Sequence, residues 1–507
     1  ALEADLEHYV AHVRYQETAL RAGDPLAEIK NDYSRFVEDY AHNVCMKLHR
    51  FRLDPPAERL PKLEALRKQH GKNFNVYLEI GRTNLALDQA VPAVSALERA
   101  LALKTGSRDD VVLLLATAHY AAGHADKAYQ QLDLAVKAKP AFWSGRLTLA
   151  RWDLLAGRYE QGVQHADIVV QQRPTYIGAF LVKSEALSGA GKPEEAKDVL
   201  KAVYERITQD VPEVTIALAD LTAKFETEVA FKEATALYKK VLEKDDENAR
   251  AMYGLAWVLE RQKKYEEAEE KYREVLVAQP NSVDAVNSVG FCLYKQGRVT
   301  EAQVQFKRAL DMKGEMVTAL LNLGATYDAQ AKYPEAIKIY EKVLKLPGQK
   351  DNMRAIINAA FDYESLGTFP KATKLLQRAH ELAPKDPNIM VWLGDNYYFQ
   401  KKLKEAERWY QEAIALDEKL FFAWRGLGFT LAQRKRWADA AAALENAKKL
   451  KPDDLEMYAL LGDMYWDQLK DLQSALDNYQ EYMQRGGTDP EIQEAIIEIK
   501  KELEKKK

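Results

Sequence analysis

Small and large apolar residues recur along most of the chain in a fixed pattern set among charged residues. A small residue stands inside an apolar helical stretch at Ala256. It returns at Gly290, Gly324, Ala360, Gly394, Gly428 and Gly462, in steps of 34 residues with one step of 36. Twelve residues after each comes an alanine: Ala268, Ala302, Ala336, Ala372, Ala406 and Ala440. In the last repeat it shifts by one to Ala475, which suggests that Lys470 and Asp471 lengthen the turn there. Large apolar residues at helical spacing, such as Leu323, Tyr327 and Tyr340, surround these positions. The pattern predicts two amphipathic helices per repeat, brought close together where a side chain is nearly absent. Turns such as Gln296-Gly297-Arg298 and Leu366-Gly367-Thr368 use Gly to end the first helix. Pro140, Pro174, Pro280, Pro384 and Pro452 mark the ends of second helices, because proline cannot continue one.

Extended toward the N-terminus, the register loosens. Ala116 pairs with Ala128, Ala150 with Gly162 and Ser184 with Ala196. Thr222 pairs with Ala234 after a step of 38, which places an insertion near residues 207–212, and Gly81 with Ala93 opens the array. The array runs from about Phe74 to Gly487 and holds about twelve repeats. The expected divisions are an N-terminal helical cap or docking module at 1–73, divergent repeats at 74–214, regular repeats at 215–487 and a C-terminal capping helix at 488–507. The first segment reads as three helices, Leu2–Ala22, Pro25–Phe51 and Ala57–His70, with a break at Asp54-Pro55-Pro56.

The stretch Ala319–Leu344 (ALLNLGATYDAQAKYPEAIKIYEKVL) and that from Trp392 to Leu416 resemble the tetratricopeptide repeat family in length, small residues and aromatic positions. The resemblance implies an all-α fold: a right-handed superhelical solenoid of antiparallel helix pairs, with the non-repeat N-terminal segment beside it. It also implies that first helices line a concave groove that holds segments of other proteins. The groove positions it maps here are Trp257, Phe291, Tyr294, Asn322, Asn358, Phe361, Tyr398 and Phe429. Further concave candidates are Glu260, Asp328, Glu364, Asp395, Asp463 and Trp466. The aromatic rings offer hydrophobic contact, and the two asparagines offer hydrogen bonds to a peptide backbone. The Lys-and-Asn clamp by which one subclass grips chaperone tails needs Lys and Asn four apart on a first helix. Pairs such as Leu78/Arg82 and Asn287/Phe291 do not fit it.

The 507 residues exceed what one compact core usually holds. With 47% hydrophobic and 30% charged residues, the chain is neither disordered nor a membrane protein, and no apolar run is long enough to span a bilayer. A net charge of −4 and a pI near 6.2 supply no general field for nucleic acid. Two cysteines, Cys45 and Cys292, exclude a disulfide-stapled scaffold and a cysteine-built zinc site.

Catalytic motifs are absent: there is neither a Gly-rich phosphate loop nor a GxSxG elbow. The run Glu266, Glu267, Glu269 and Glu270, with Lys263, Lys264 and Lys271, reads as an exposed helix face. His8 and His12, four apart, have metal-ligand spacing, with His42 or His49 as a third ligand, but a polar helix surface is the favoured reading and neither metal nor cofactor is expected. The expected function is a non-catalytic scaffold or adaptor for other proteins, whose partner carries apolar and basic residues. Self-association is compatible with an array this long. The style of the repeats loosely resembles bacterial cell-envelope lipoproteins that serve assembly, secretion or motility machines. That reading implies a periplasmic or outer-membrane-associated location. The alternatives are a cytoplasmic regulatory or assembly factor and a recruiting subunit of a polysaccharide synthesis or export complex.

Overall fold

The computed structural model describes residues 44–103, 108–207 and 211–505, and among them every regular element is a helix. The chain divides into two compact units, Ala1–Asp246 and Glu247–Lys507.

In the first unit, Val44–Arg52 and Pro56–Gln69 precede five helix pairs. These are Phe74–Ala86 with Ala90–Leu103, Asp109–Ala121 with Ala125–Ala138, Trp143–Leu155 with Tyr159–Gln172, Ile177–Gly189 with Pro193–Arg206, and Pro212–Ala223 with Glu228–Leu242. The break at Asp54-Pro55-Pro56 is a helix start, with Pro55 at the N-cap and Pro56 in the first turn, where a missing N–H costs nothing. Leu48, Leu63 and Leu66 close over Val76, Ile80 and Ala96, so these two helices cover the open end of the first pair. Asp54 ties them together through Arg50 at 2.8 Å and Lys62 at 2.7 Å. Those bonds outweigh its burial and hold its carboxyl at about 2. The expected helix Leu2–Ala22 lies outside the described residues, as do residues 25–43 of the second expected helix and residues 208–210 of the expected insertion.

The second unit holds seven pairs. They are Ala249–Arg261 with Tyr265–Ala278, Val283–Lys295 with Val299–Met312, Val317–Asp328 with Tyr333–Lys345, Met353–Ser365 with Phe369–Leu382, Pro387–Phe399 with Leu403–Leu416, Phe421–Gln433 with Trp437–Leu450, and Leu455–Asp463 with Leu472–Gln484. Pro490–Lys505 follows and buries Ile492, Ala495 and Ile499 on Leu472, Ala475 and Tyr479. That face shields the last pair while the helix's other residues meet water.

The recurring small residues lie in the contact between the paired helices. Ala256, Ala268, Ala302, Ala336, Ala360, Ala372, Ala406 and Ala440 are fully buried. At Gly290 a Cβ would stand 2.7 Å from the Phe306 ring, and at Gly324 one would stand 2.5 Å from Tyr340. Each glycine thus makes room for a ring sixteen residues later. Asn248, Ser282 and Asn352 cap their first helices through side-chain oxygens. Second helices end two residues before Pro140, Pro174, Pro280, Pro384 and Pro452.

Two readings of the sequence are corrected. In the last repeat the turn is not lengthened: only Lys470 and Asp471 separate the two helices. The extra residue is absorbed as a π-helical turn, Met464–Leu469, which continues the first helix. The Glu-rich run is not wholly exposed either. Glu269 is buried, because the residue after Ala268 faces the turn of the following repeat, where Arg298 meets it at 2.9 Å.

Candidate protein-binding face

Within each unit, first helices of successive repeats touch directly. Val317–Asp328, for example, touches both Val283–Lys295 and Met353–Ser365. Second helices of successive repeats meet at most marginally. The first helices therefore form the closer, inner layer, and side chains on their free side make one continuous face along the second unit.

The sequence-derived positions fall on that layer, one or two per first helix. Trp257, Phe291, Tyr294, Asn358, Phe361, Tyr398 and Phe429 are all half-buried. The Phe361 ring meets Trp392 edge-on at 5.0 Å, a neighbour the sequence reading did not single out. Phe291 stands edge-on to Tyr265, with Lys295 Nζ 5.4 Å from its ring. Arg261 lies over Trp257 and Arg425 over Phe429. Tyr398 is edge-on to the exposed Phe399.

The asparagines are already engaged. Asn322 is buried, donates to Asn287 Oδ1 at 3.3 Å and accepts from Arg354 at 3.1 Å. It therefore links three successive first helices. Asn358 donates to the Tyr340 hydroxyl at 3.2 Å.

Sequence reasoning missed a set of buried tyrosines that hold the acids of this layer. Tyr272 donates to Glu260 at 2.9 Å, Tyr340 to Asp328 at 2.5 Å, Tyr410 to Asp395 at 2.6 Å and Tyr479 to Asp463 at 2.5 Å. Each phenol comes from the second helix and each carboxylate from the first helix of the same pair. The recurrence of Tyr272, Tyr340 and Tyr410, each sixteen residues after its repeat's small residue, was the available signal.

Burial raises the carboxyls of Glu260, Asp328 and Asp395, and the phenol hydrogen bonds partly offset it. Asp328 faces Asp362 of the next repeat, and burial raises both carboxyls. Burial and then the Asp328 charge push Asp362 up to about 8. Burial, with a contribution from Asp395, pushes Glu364 up to about 7, against the hydrogen bond from Asn396. The layer thus alternates rings with carboxyls whose charge burial makes costly.

No group of three or more His, Cys, Asp or Glu among the described residues could hold a metal. His8, His12 and His42 lie outside them, and His49 is buried. No helix among the described residues is long and apolar enough to cross a membrane.

A protein of this construction, made of stacked helix pairs around small-residue contacts, is an all-α repeat solenoid. Family models described as tetratricopeptide repeat match residues 231–283, 283–347, 387–420 and 426–490, and those stretches are tetratricopeptide repeats. No curated protein matches the chain in sequence. Among solved structures, the crystal structure of the APC/C hetero-tetramer Cut9-Hcn1 is similar at 13% identity, over 84% of this chain and 96% of that one, with a TM-score of 0.38.

Proposed function

We propose that the inner face of residues 247–507 binds a segment of another protein that carries apolar and basic side chains, and that the chain acts as a non-catalytic scaffold. The observation that carries this reading is the alternation on successive first helices: half-buried Phe361, Tyr398 and Phe429 beside Asp328, Glu364 and Asp395, whose carboxyls are raised by burial. Rings supply contact area at low entropic cost, and partly desolvated carboxyls reward an incoming ammonium or guanidinium.

A random peptide library selected on the purified chain tests this. Enriched peptides should combine aromatic or aliphatic residues with Lys or Arg, and Phe361→Ala with Phe429→Ala should abolish the enrichment. Enrichment of acidic peptides, or selection unaffected by the double variant, would overturn the reading.

The setting we propose is a bacterial envelope assembly, secretion or motility machine, at a periplasmic or outer-membrane-associated location. It is supported by the two-cysteine composition and the style of the repeats. A secretion signal encoded upstream of Ala1 in the full gene supports it, and an in-frame cytosolic start sinks it.

A further inference from the structure

At three junctions of the second unit a polar contact joins neighbouring repeats, and the first junction of the array lacks it. There the residue after the second-helix alanine accepts hydrogen bonds from the turn of the following repeat. Glu269 accepts from Gln296 and Arg298, both at 2.9 Å. Glu407 takes Arg434 and, at 2.7 Å, Arg436. Thr373 accepts from Gln400 at 2.7 Å. Between the pairs Phe74–Leu103 and Asp109–Ala138, the same places hold Val94, Ala122 and His124. An apolar side chain replaces the acceptor, and a methyl group replaces one donor.

What remains is a cleft of about 370 Å³. Val91, Val94 and Ala122 form its walls. His119 lines it where Leu293 and Leu431 stand at two of the other junctions. His119 is 2% exposed, and neither ring nitrogen has a hydrogen-bond partner. Glu98, on the cleft's lining, is 3.9 Å from its Nε2, beyond hydrogen-bond reach. The 14-residue helix Ala125–Ala138 starts at the cleft, and its N-cap, His124, makes no side-chain cap, so first-turn N–H groups stand uncapped beside Lys127.

We propose that this cleft binds a small apolar carboxylate, whose hydrocarbon body rests on Val91, Val94 and Ala122 and whose carboxylate takes the place that Glu269 and Glu407 fill at other junctions. The donors left without an acceptor are His119, Lys127 and the helix start. Burial and the Lys127 charge lower the His119 pKa, Glu98 opposes them, and a bound carboxylate raises it. Glu98 is 55% exposed, and its charge repels this ligand.

The test is a titration of the purified full chain, with labelled histidine, using benzoate, benzamide and benzylamine as probes of one shape and three charges. Benzoate should shift the His119 ring resonances saturably, benzamide should bind at least about tenfold more weakly, and benzylamine should not bind. His119→Leu restores the residue of two other junctions, and Val94→Glu restores the missing acceptor from within. Each should weaken benzoate binding, followed by calorimetry, about tenfold or more while helix content is kept. Glu98→Gln, at an exposed position that does not endanger folding, should tighten benzoate binding. Absence of a saturable His119 shift, preference for benzylamine, or weaker benzoate binding in Glu98→Gln overturns the proposal.

Discussion

Tyr340 donates to Asp328 at 2.5 Å, and Asp328 faces Asp362 on the first helix of the following repeat, whose carboxyl burial and the Asp328 charge push up. A single phenol–carboxyl–carboxyl chain therefore crosses the boundary between two repeats. Two carboxylates this buried cannot both ionise cheaply, so the proton is part of the packing.

That proton makes the stability of the second unit depend on pH. Asp362 titrates near its ordinary 3.8 when unfolded and at about 8 when folded. The folded state holds the extra proton between those values, so this contribution is complete below about pH 4 and is lost as pH rises toward 8. Asp362→Asn mimics the protonated acid. It should flatten the pH dependence and, at pH 8, leave the unit more stable than the parent by about 2 kcal/mol. Urea melts at pH 5 and pH 8 check this. A parent whose stability rises over that interval, with no gain from the variant at pH 8, contradicts the raised Asp362 carboxyl.

Gly290 and Phe306 show what the 34-residue period encodes. A Cβ at Gly290 would stand 2.7 Å from the fully buried Phe306 ring. Gly290→Ala should destabilise by about 1–3 kcal/mol through overpacking, despite the better helix propensity of alanine. Adding Phe306→Leu, the combination present at Ala360 and Leu376, should recover part of the loss. Thermal melts of the two variants decide it, and a stabilised single variant contradicts the packing.

The fold was legible because packing residues repeat. A small residue must face a large one in every pair, so its position survives across the array. The acids of the candidate face were legible in part. Asp328, Glu364 and Asp395 could be placed on the inner layer by register, but Asp362 could not. It occupies the buried position two residues after the small one, where other repeats carry Val258, Cys292, Thr326, Asn396 and Thr430. Four kinds of side chain besides Asp leave no period to read. Glu269 was misread for a related reason: its neighbours Glu266, Glu267 and Glu270 are exposed, and composition alone does not reveal that one acid of the four turns toward the next repeat. The His119 cleft was invisible because it arises from two truncations, Val94 and Ala122, that lie 28 positions apart in the chain.

Lys401 holds a backbone conformation that suits glycine. Its φ is 60°, and the matching turns use Gly297 and Gly367 at 79° and 68°. A side chain in this left-handed region costs roughly 1 kcal/mol, partly balanced by the greater unfolded-state freedom of glycine. Lys401→Gly should therefore stabilise the second unit by about 0.5 kcal/mol. A measurable fall in its urea midpoint would show that Lys401 makes a contribution other than backbone geometry, such as its position 5.7 Å from the Tyr398 ring.

Glu269 carries the last prediction, which concerns cooperativity rather than total stability. Its carboxylate takes Arg273 on its own helix, and Gln296 and Arg298 from the next repeat. It therefore belongs to the interface between repeats rather than to the inside of either. In a stacked array each repeat is stabilised largely by its neighbours, so weakening one interface uncouples the two sides before it unfolds them. Glu269→Ala takes one acceptor from the half-buried Gln296 amide, which keeps the Tyr265 carbonyl, and one from Arg298, which keeps Glu301, and should cost about 1 kcal/mol at that junction. Amide exchange should accelerate first in Ala249–Ala278, on the shorter side of the weakened junction, while Val317–Lys345 keeps its protection. The denaturant transition should broaden as the two sides separate. A uniform loss of protection across all seven pairs, with a transition as steep as the parent's, would place Glu269 in a single cooperative core and not at a joint.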